Sequence, residues 1–204
     1  MPSSEFSEAH TELGGDLTPE NGSISGRSYS ATSEVMTSSD VSRVLSRIAH
    51  EIVERNRGCT ELIVVGLQTG GVWIAEELCK RLYEISDFSC ILASLDTSFY
   101  RDDHAIRPFV RSSSSDVLSS VDTKTVVLVD DVLFTGRTVR AALEAILDFG
   151  RPTAIQLAVM VDRGHRELPI RPDYVGKNLP TSRSEMVEVT RDGVRILKEV
   201  GNVS

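Results

Sequence analysis

A chain of 204 residues, 40% hydrophobic and 25% charged, has an ordinary globular composition and the length of one domain with an appendage. No run approaches the ~20 apolar residues a membrane-spanning helix needs, mean hydropathy is −0.09, and residues 1–15 carry neither the basic nor the apolar region of a secretory signal, so membrane insertion and export are not expected. A net charge of −8 excludes a wholly basic nucleic-acid-binding surface but leaves room for one local cationic patch.

In chain order, residues 1–37 are rich in Ser, Thr, Gly and Glu and nearly devoid of apolar periodicity, which predicts a disordered tail ahead of a domain over 38–204. Val41, Val44, Leu45, Ile48, Ala49, Ile52 and Val53 then make one apolar stripe, predicting a helix over 39–57 capped by Ser39 or Asp40 and stopped at Gly58. Arg43, Arg47 and His50 fall on its opposite, wet face. Beyond it, strands are predicted over 62–65, 88–95, 125–129 and 154–161, alternating with helices over 72–84 and 137–149. This alternation predicts an α/β fold with a mainly parallel sheet and helices on both faces. The polar stretch 96–124 reads as a long mobile loop, and 187–190 with 194–197 as a terminal hairpin through Asp192-Gly193. Cys59, Cys79 and Cys90 are odd in number and lack metal-ligand spacing, which predicts a reducing, cytoplasmic setting without a disulfide framework or structural zinc.

The chemistry concentrates in Val126-Val127-Leu128-Val129-Asp130-Asp131-Val132-Leu133-Phe134-Thr135-Gly136-Arg137-Thr138. An apolar strand ends in two acids, turns through Thr and Gly, and opens a helix. Ligands of open α/β sheets bind beyond the carboxyl ends of the strands, and a helix start presents free N–H groups to an anion. Gly136 lets the backbone approach a phosphate closely, with the Thr135 and Thr138 hydroxyls as donors. No triphosphate-binding Gly-x4-Gly-Lys-Ser/Thr run and no dinucleotide-binding Gly-x-Gly-x-x-Gly run occurs. A phosphorylated sugar suits the remaining chemistry, its phosphate on the turn and its vicinal hydroxyls on the acid pair.

This segment resembles the phosphoribosyl pyrophosphate (PRPP) motif of type I phosphoribosyltransferases. Further stretches are Arg47-Ile48-Ala49-His50-Glu51, Tyr100-Arg101-Asp102-Asp103 and the run from Arg163-Gly164-His165-Arg166-Glu167-Leu168-Pro169-Ile170-Arg171 to Gly176-Lys177-Asn178-Leu179-Pro180-Thr181-Ser182. Together they resemble the PyrR family of bifunctional pyrimidine-operon attenuation regulators, which are also uracil phosphoribosyltransferases. The resemblance runs from about 38 to 190. It implies the type I fold with a C-terminal hood or hairpin, transfer of the PRPP ribosyl group to uracil to give UMP and pyrophosphate, and Mg²⁺ accompanying PRPP. It further implies leader mRNA of pyrimidine genes as a partner, bound when UMP or UTP fills the PRPP site, and a homodimer or homotetramer. By the same resemblance, Asp130, Asp131 and Arg101 act in catalysis. Val132, Leu133, Phe134, Thr135, Gly136, Arg137, Thr138, Thr69, Gly70 and Asp162 bind substrate, with uracil near residues 161–163. Ser46, Arg47, His50, Arg163, Arg166 and Lys177 face RNA.

One position departs from that family's pattern. Its pyrophosphate loop usually reads Thr-Arg-Gly, whereas this chain has Gly66-Leu67-Gln68-Thr69-Gly70-Gly71, with Gly70 where the Arg would stand. Losing one well-placed cation where negative charge develops costs about 10²–10³ in rate, so the resemblance implies weak transferase activity that Gly70→Arg would raise, with nucleotide sensing preserved. A purely metabolic transferase for uracil or another base, its Arg/His strip merely solvated, is the alternative; a catalytically dead interaction module is a third reading.

Overall fold

The computed structural model describes residues 22–24, 27–57, 62–86, 90–97, 110–112 and 120–200. The first helix, α1 (Ser38–Arg55), buries Val41, Leu45, Ile48, Ala49 and Ile52. Its cap lies one residue ahead of the expected pair: the Thr37 hydroxyl accepts from the Asp40 N–H, and the Thr37 N–H donates to the Asp40 carboxylate at 2.9 Å, a reciprocal capping box. Asp40 is thus the partner rather than the cap. The predicted stop at Gly58 lies outside the described residues, and the helix closes on Asn56, whose buried amide joins Gln156 and Tyr174.

From there the chain alternates through β3 (Leu62–Leu67), α2 (Gly71–Ser86), β4 (Cys90–Leu95), β5 (Val110–Ser112), β6 (Thr125–Leu133), α3 (Arg137–Leu147), β7 (Ala154–Asp162) and β8 (Tyr174–Asn178). These strands form one sheet in the order β5-β4-β3-β6-β7-β8. Its five strands from β4 to β8 are parallel, and β5 adds an antiparallel edge. Both faces are covered, so the strands read as continuous apolar runs rather than alternating ones. Val64, Val127, Val129 and Met160 pack under α1 and α2, while Ile63, Val65, Val126 and Leu128 pack under Val139, Ala142, Ala145 and Ile146 of α3. The chain lays β4 to one side of β3 and β6 to the other. The order therefore reverses between β3 and β6, and the crevice above their carboxyl ends is where such sheets take ligands.

The predicted hairpin is present as β9 (Glu185–Thr190) and β10 (Gly193–Val200), but it belongs to a second sheet in the order β1-β2-β10-β9, with β1 at Gly22–Ile24 and β2 at Arg27–Thr37. The expectation of a disordered tail up to residue 37 is therefore corrected for residues 22–24 and 27–37, whereas residues 1–21 and 25–26 lie outside the described set. The physical reason is partnership. Eleven mostly polar residues supply little apolar surface, yet Met36 is buried, and the backbone N–H and C=O groups of β2 are taken up by β10 along Gly193↔Thr37 to Val200↔Ser28. Arg191, at the hairpin turn, pins this sheet to α2: its guanidinium lies 5.2 Å over the Trp73 ring and pairs with Glu77 at 3.0 Å.

Besides β1 and β2, two further strands are absent from the sequence expectation, β8, which is short and has Gly176 in the middle of its run, and β5, which lies inside the long polar stretch. The rest of that stretch, 98–109 and 113–119, lies outside the described residues. Among the described residues no helix is long and apolar enough to cross a membrane.

Candidate functional site

Strand β6 extends beyond its predicted end and carries both acids, Asp130 buried at 7% exposure and Asp131 half-buried. Asp130 accepts a hydrogen bond from the Asp131 N–H at 3.0 Å, and Asp131 accepts from the Val132 N–H at 2.7 Å. The two carboxyl groups are therefore fixed by their own backbone. The turn then reaches Gly136, which caps α3 at φ +94°, a left-handed conformation that a side chain disfavours. No side chain caps α3, and no acid sits in its first turn. The Arg137 N–H donates to the Thr135 hydroxyl at 3.4 Å, and the amides that follow offer an external acceptor the positive end of the helix dipole. Residues Asp130 and Val132–Val139 line a cleft of about 230 Å³ here. The expected substrate-binding residues Val132, Leu133, Phe134, Thr135, Gly136, Arg137 and Thr138 all fall on it.

The loop after β3 meets this turn across the crevice. Thr69 is exposed and Gly70 half-buried, and the loop is held to β4 by the Gln68 N–H donating to the Leu95 carbonyl at 2.9 Å. A Cβ added at Gly70 would overlap the Asp131 carboxyl group. The glycine therefore lets the loop backbone lie against the acid. This corrects the expectation for Gly70→Arg: a side chain there displaces Asp131 before any guanidinium could reach a pyrophosphate.

Burial pushes the Asp130 carboxyl well above the usual carboxylate range, and the neighbouring Asp131 charge adds to the effect. With the folded-state value above the unfolded one, the folded protein holds the proton more tightly. Stability is therefore lost as pH rises through that window. Asp130→Asn is expected to raise Tm at neutral pH and to leave it nearly unchanged in acid; a thermal melt series across pH checks this, and equal shifts at all pH values would contradict it.

The run after β7 wraps the same turn from outside. Asp162 accepts from Arg166 at 2.6 Å and from the Gly164 N–H at 2.9 Å. Arg166 also donates to the carbonyls of Phe134 at 2.6 Å, Gly164 at 3.1 Å and Ile170 at 3.0 Å. Arg163 is 7% exposed and lies 4.2 Å over the Phe134 ring. It donates to the carbonyls of Ser182 and Glu185, both at 2.8 Å, while His165 sets its ring edge-on to Phe134 at 5.7 Å. Arg137 is exposed and held by Glu167 at 2.8 Å. Arg163 and Arg166 thus support the turn after β6 from the later loop, their guanidinium groups tied inward rather than presented to RNA as the resemblance implied. Glu167, absent from the expected set, belongs to this support, and its only sequence signal was its place in the Arg163–Arg171 run.

The other expected cations gather elsewhere. Arg43, Arg47 and Lys177 line a separate groove of about 480 Å³ between α1, β2 and β8, together with Met36, Asp40 and Gly176. Arg47 is anchored by Glu51 at 2.6 Å and by the carbonyls of Val175 at 2.8 Å and Gly176 at 3.0 Å. Lys177 reaches the Val35 carbonyl at 3.4 Å, and Arg43 pairs with Asp40. His50 is exposed, one ring nitrogen 2.7 Å from the Ser46 carbonyl, while the Ser46 hydroxyl takes a 3.3 Å hydrogen bond from Arg81. Arg101 lies outside the described residues.

Residues 32–192 match the family model described as phosphoribosyl transferase domain, which sets the class of the protein. Solved structures agree on the fold. The hypoxanthine phosphoribosyltransferase of Trypanosoma cruzi aligns at a TM-score of 0.66 and 18% identity, over 83% of this chain and 98% of that one. The hypoxanthine phosphoribosyltransferase of Staphylococcus aureus aligns at 0.63 and 21%, over 85% and 96%. Curated relatives are nearer in sequence. The bifunctional protein PyrR of Brevibacillus brevis is 54% identical over 159 residues, 77% of this chain and 88% of the relative. That of Enterococcus faecalis is 50% identical over 173 residues, 83% and 97%. The chain belongs to the PyrR family of phosphoribosyl transferase domain proteins.

Proposed function

We propose that this chain is a uridine-nucleotide-sensing RNA-binding regulator of pyrimidine biosynthesis genes, acting at the mRNA leader, that also makes UMP and pyrophosphate from uracil and PRPP. The observation that carries the proposal is the coexistence on one chain of an acid-paired phosphate turn and a separate cationic groove. The 5′-phosphate sits on the amides of the turn and α3, and the ribose hydroxyls donate to Asp130 and Asp131. Uracil lies beside Asp162, its ring nitrogen attacking the ribose carbon as pyrophosphate leaves. Mg²⁺ bound with PRPP would neutralise charge on the leaving group. Among the described residues no three His, Cys, Asp or Glu side chains converge on a metal position. Asp130 and Asp131 are the described side chains that would add to the substrate oxygens holding Mg²⁺, as Mg²⁺ commonly accepts one or two carboxylates plus substrate phosphates. Gly70 leaves its side of the loop without a cation, so turnover is slow. The protein works in the cytoplasm as a homodimer or homotetramer.

The two sites are one strand apart. Asp162 pairs in register with Asn178, and Val161 with Lys177, while Arg47 holds the carbonyls of Val175 and Gly176 on the same strand. Nucleotide binding that shifts the end of β7 therefore moves the cations of the groove. RNA loops are read through phosphate and 2′-hydroxyl contacts that Arg43, Arg47, His50 and Lys177 can make. That Arg163 and Arg166 are tied inward favours the competing reading, a metabolic transferase that binds no RNA. A leader-RNA gel shift separates them. UMP is expected to strengthen the shift, and Arg47→Ala to weaken it at least about tenfold while UMP formation persists. Turnover with no RNA shift at any UMP concentration would overturn the regulatory reading.

A further inference from the structure

Strand β4 turns alternate side chains to opposite faces of the sheet, which puts Cys90 and Leu92 on the side covered by α1 and α2 and Ala93 and Leu95 on the opposite face. On α2, Cys79 follows the buried Leu78 and comes one turn after the buried Ala75, at the edge of the helix that faces this end of β4. The two sulfur atoms lie 2.6 Å apart, closer than two unbonded sulfurs ordinarily rest. Both thiols are free and half-buried, packed against the same apolar core. This meets the main requirement of a disulfide, which is that two cysteines be brought together by elements already in place. The two thiols are also unlike: contact with Cys79 lowers the Cys90 thiol below its ordinary value, while Cys90 and burial push the Cys79 thiol up.

We propose that Cys79 and Cys90 form a reversible oxidation site, taking a peroxide as oxidant and closing a disulfide between α2 and β4. In the first step the Cys90 thiolate attacks one oxygen of the peroxide. The O–O bond breaks, the departing oxygen leaves as water after protonation, and Cys90 becomes a sulfenic acid. The Cys79 sulfur then attacks the Cys90 sulfur, forming the S–S bond, and the sulfenic oxygen leaves as a second water with the Cys79 proton. Two thiols lose two electrons and one peroxide gains them. A dithiol reductant reverses the bond by exchange.

The bridge closes a short loop from the second half of α2 to the first residue of β4, so it is expected to restrict the unfolded chain more than the folded one. It stands apart from the phosphate turn and the cationic groove and depends on neither site's function.

The test uses the full chain, reduced with dithiothreitol and freed of it, then treated with hydrogen peroxide. Titratable thiols are expected to fall from three, the cysteine count, to the single one of Cys59. Peptide mass mapping is expected to find the Cys79 and Cys90 peptides joined with loss of two hydrogens, and dithiothreitol to part them. Tm of the oxidised form is expected to rise by about 5–10 °C, a shift lost in both Cys79→Ser and Cys90→Ser and kept in Cys59→Ser. The mapping on the unmodified chain decides the matter should a serine variant fold poorly. Three thiols left titratable, a sulfinic acid on either cysteine with no joined peptide, or a bridge through Cys59 or between chains would each overturn the proposal.

Discussion

Asp131→Asn is expected to lower PRPP-dependent UMP formation by about 10²–10³-fold, with Tm within about 2 °C of the parent protein. The amide keeps an oxygen to accept from the Val132 N–H, so the local backbone loses nothing. What it loses is the negative charge beside the ribose hydroxyls and the cationic sugar of the transition state. Asp131 is the half-exposed member of the pair, packed against the loop at Gly70, and so the one that meets both halves of the crevice. Steady-state rates with PRPP and uracil, alongside a thermal melt, provide the check. A variant with near-parental turnover would show that the Asp131 charge plays no part in the reaction.

Arg166→Ala is expected to cost about 3–5 kcal/mol and to lower Tm by about 10 °C, with both UMP formation and RNA binding falling together. The guanidinium satisfies Asp162 and carries the carbonyls of Phe134, Gly164 and Ile170. Its side chain is only 20% exposed and that of Asp162 17%, so the truncation leaves a half-buried carboxylate and several carbonyls without a donor. A residue acting only at an RNA surface would instead lose RNA binding with Tm and turnover intact, the pattern expected of Arg47→Ala. Melting temperature, turnover and gel shift measured on the same preparation distinguish the two.

The phosphate turn was legible in the sequence because every part of it is local: an apolar strand, two acids, a turn and a helix start within thirteen residues, held by backbone hydrogen bonds between neighbours. The helices and central strands were legible for a similar reason, since burial on both sheet faces leaves unbroken apolar runs such as Leu62–Leu67. Strand β2 was not, because what orders it is a partner strand about 160 residues further on, and the buried Met36 gives its polar run little apolar signal. Arg163 and Arg166 show a different limit. Charge in a sequence suggests a solvated surface, but here the guanidinium groups turn toward backbone carbonyls of Phe134, Ser182 and Glu185. Carbonyl directions have no side-chain signature. Gly70 read as a missing cation, while its close packing against Asp131 could appear only with the two loops side by side.

A crystal structure of the chain soaked with UMP tests most directly whether the turn after β6 holds a sugar phosphate. The phosphate is expected on the amides leading into α3, with both ribose hydroxyls within hydrogen-bond distance of Asp130 and Asp131. Nucleotide density at another place on the chain, with this cleft empty, would contradict the account.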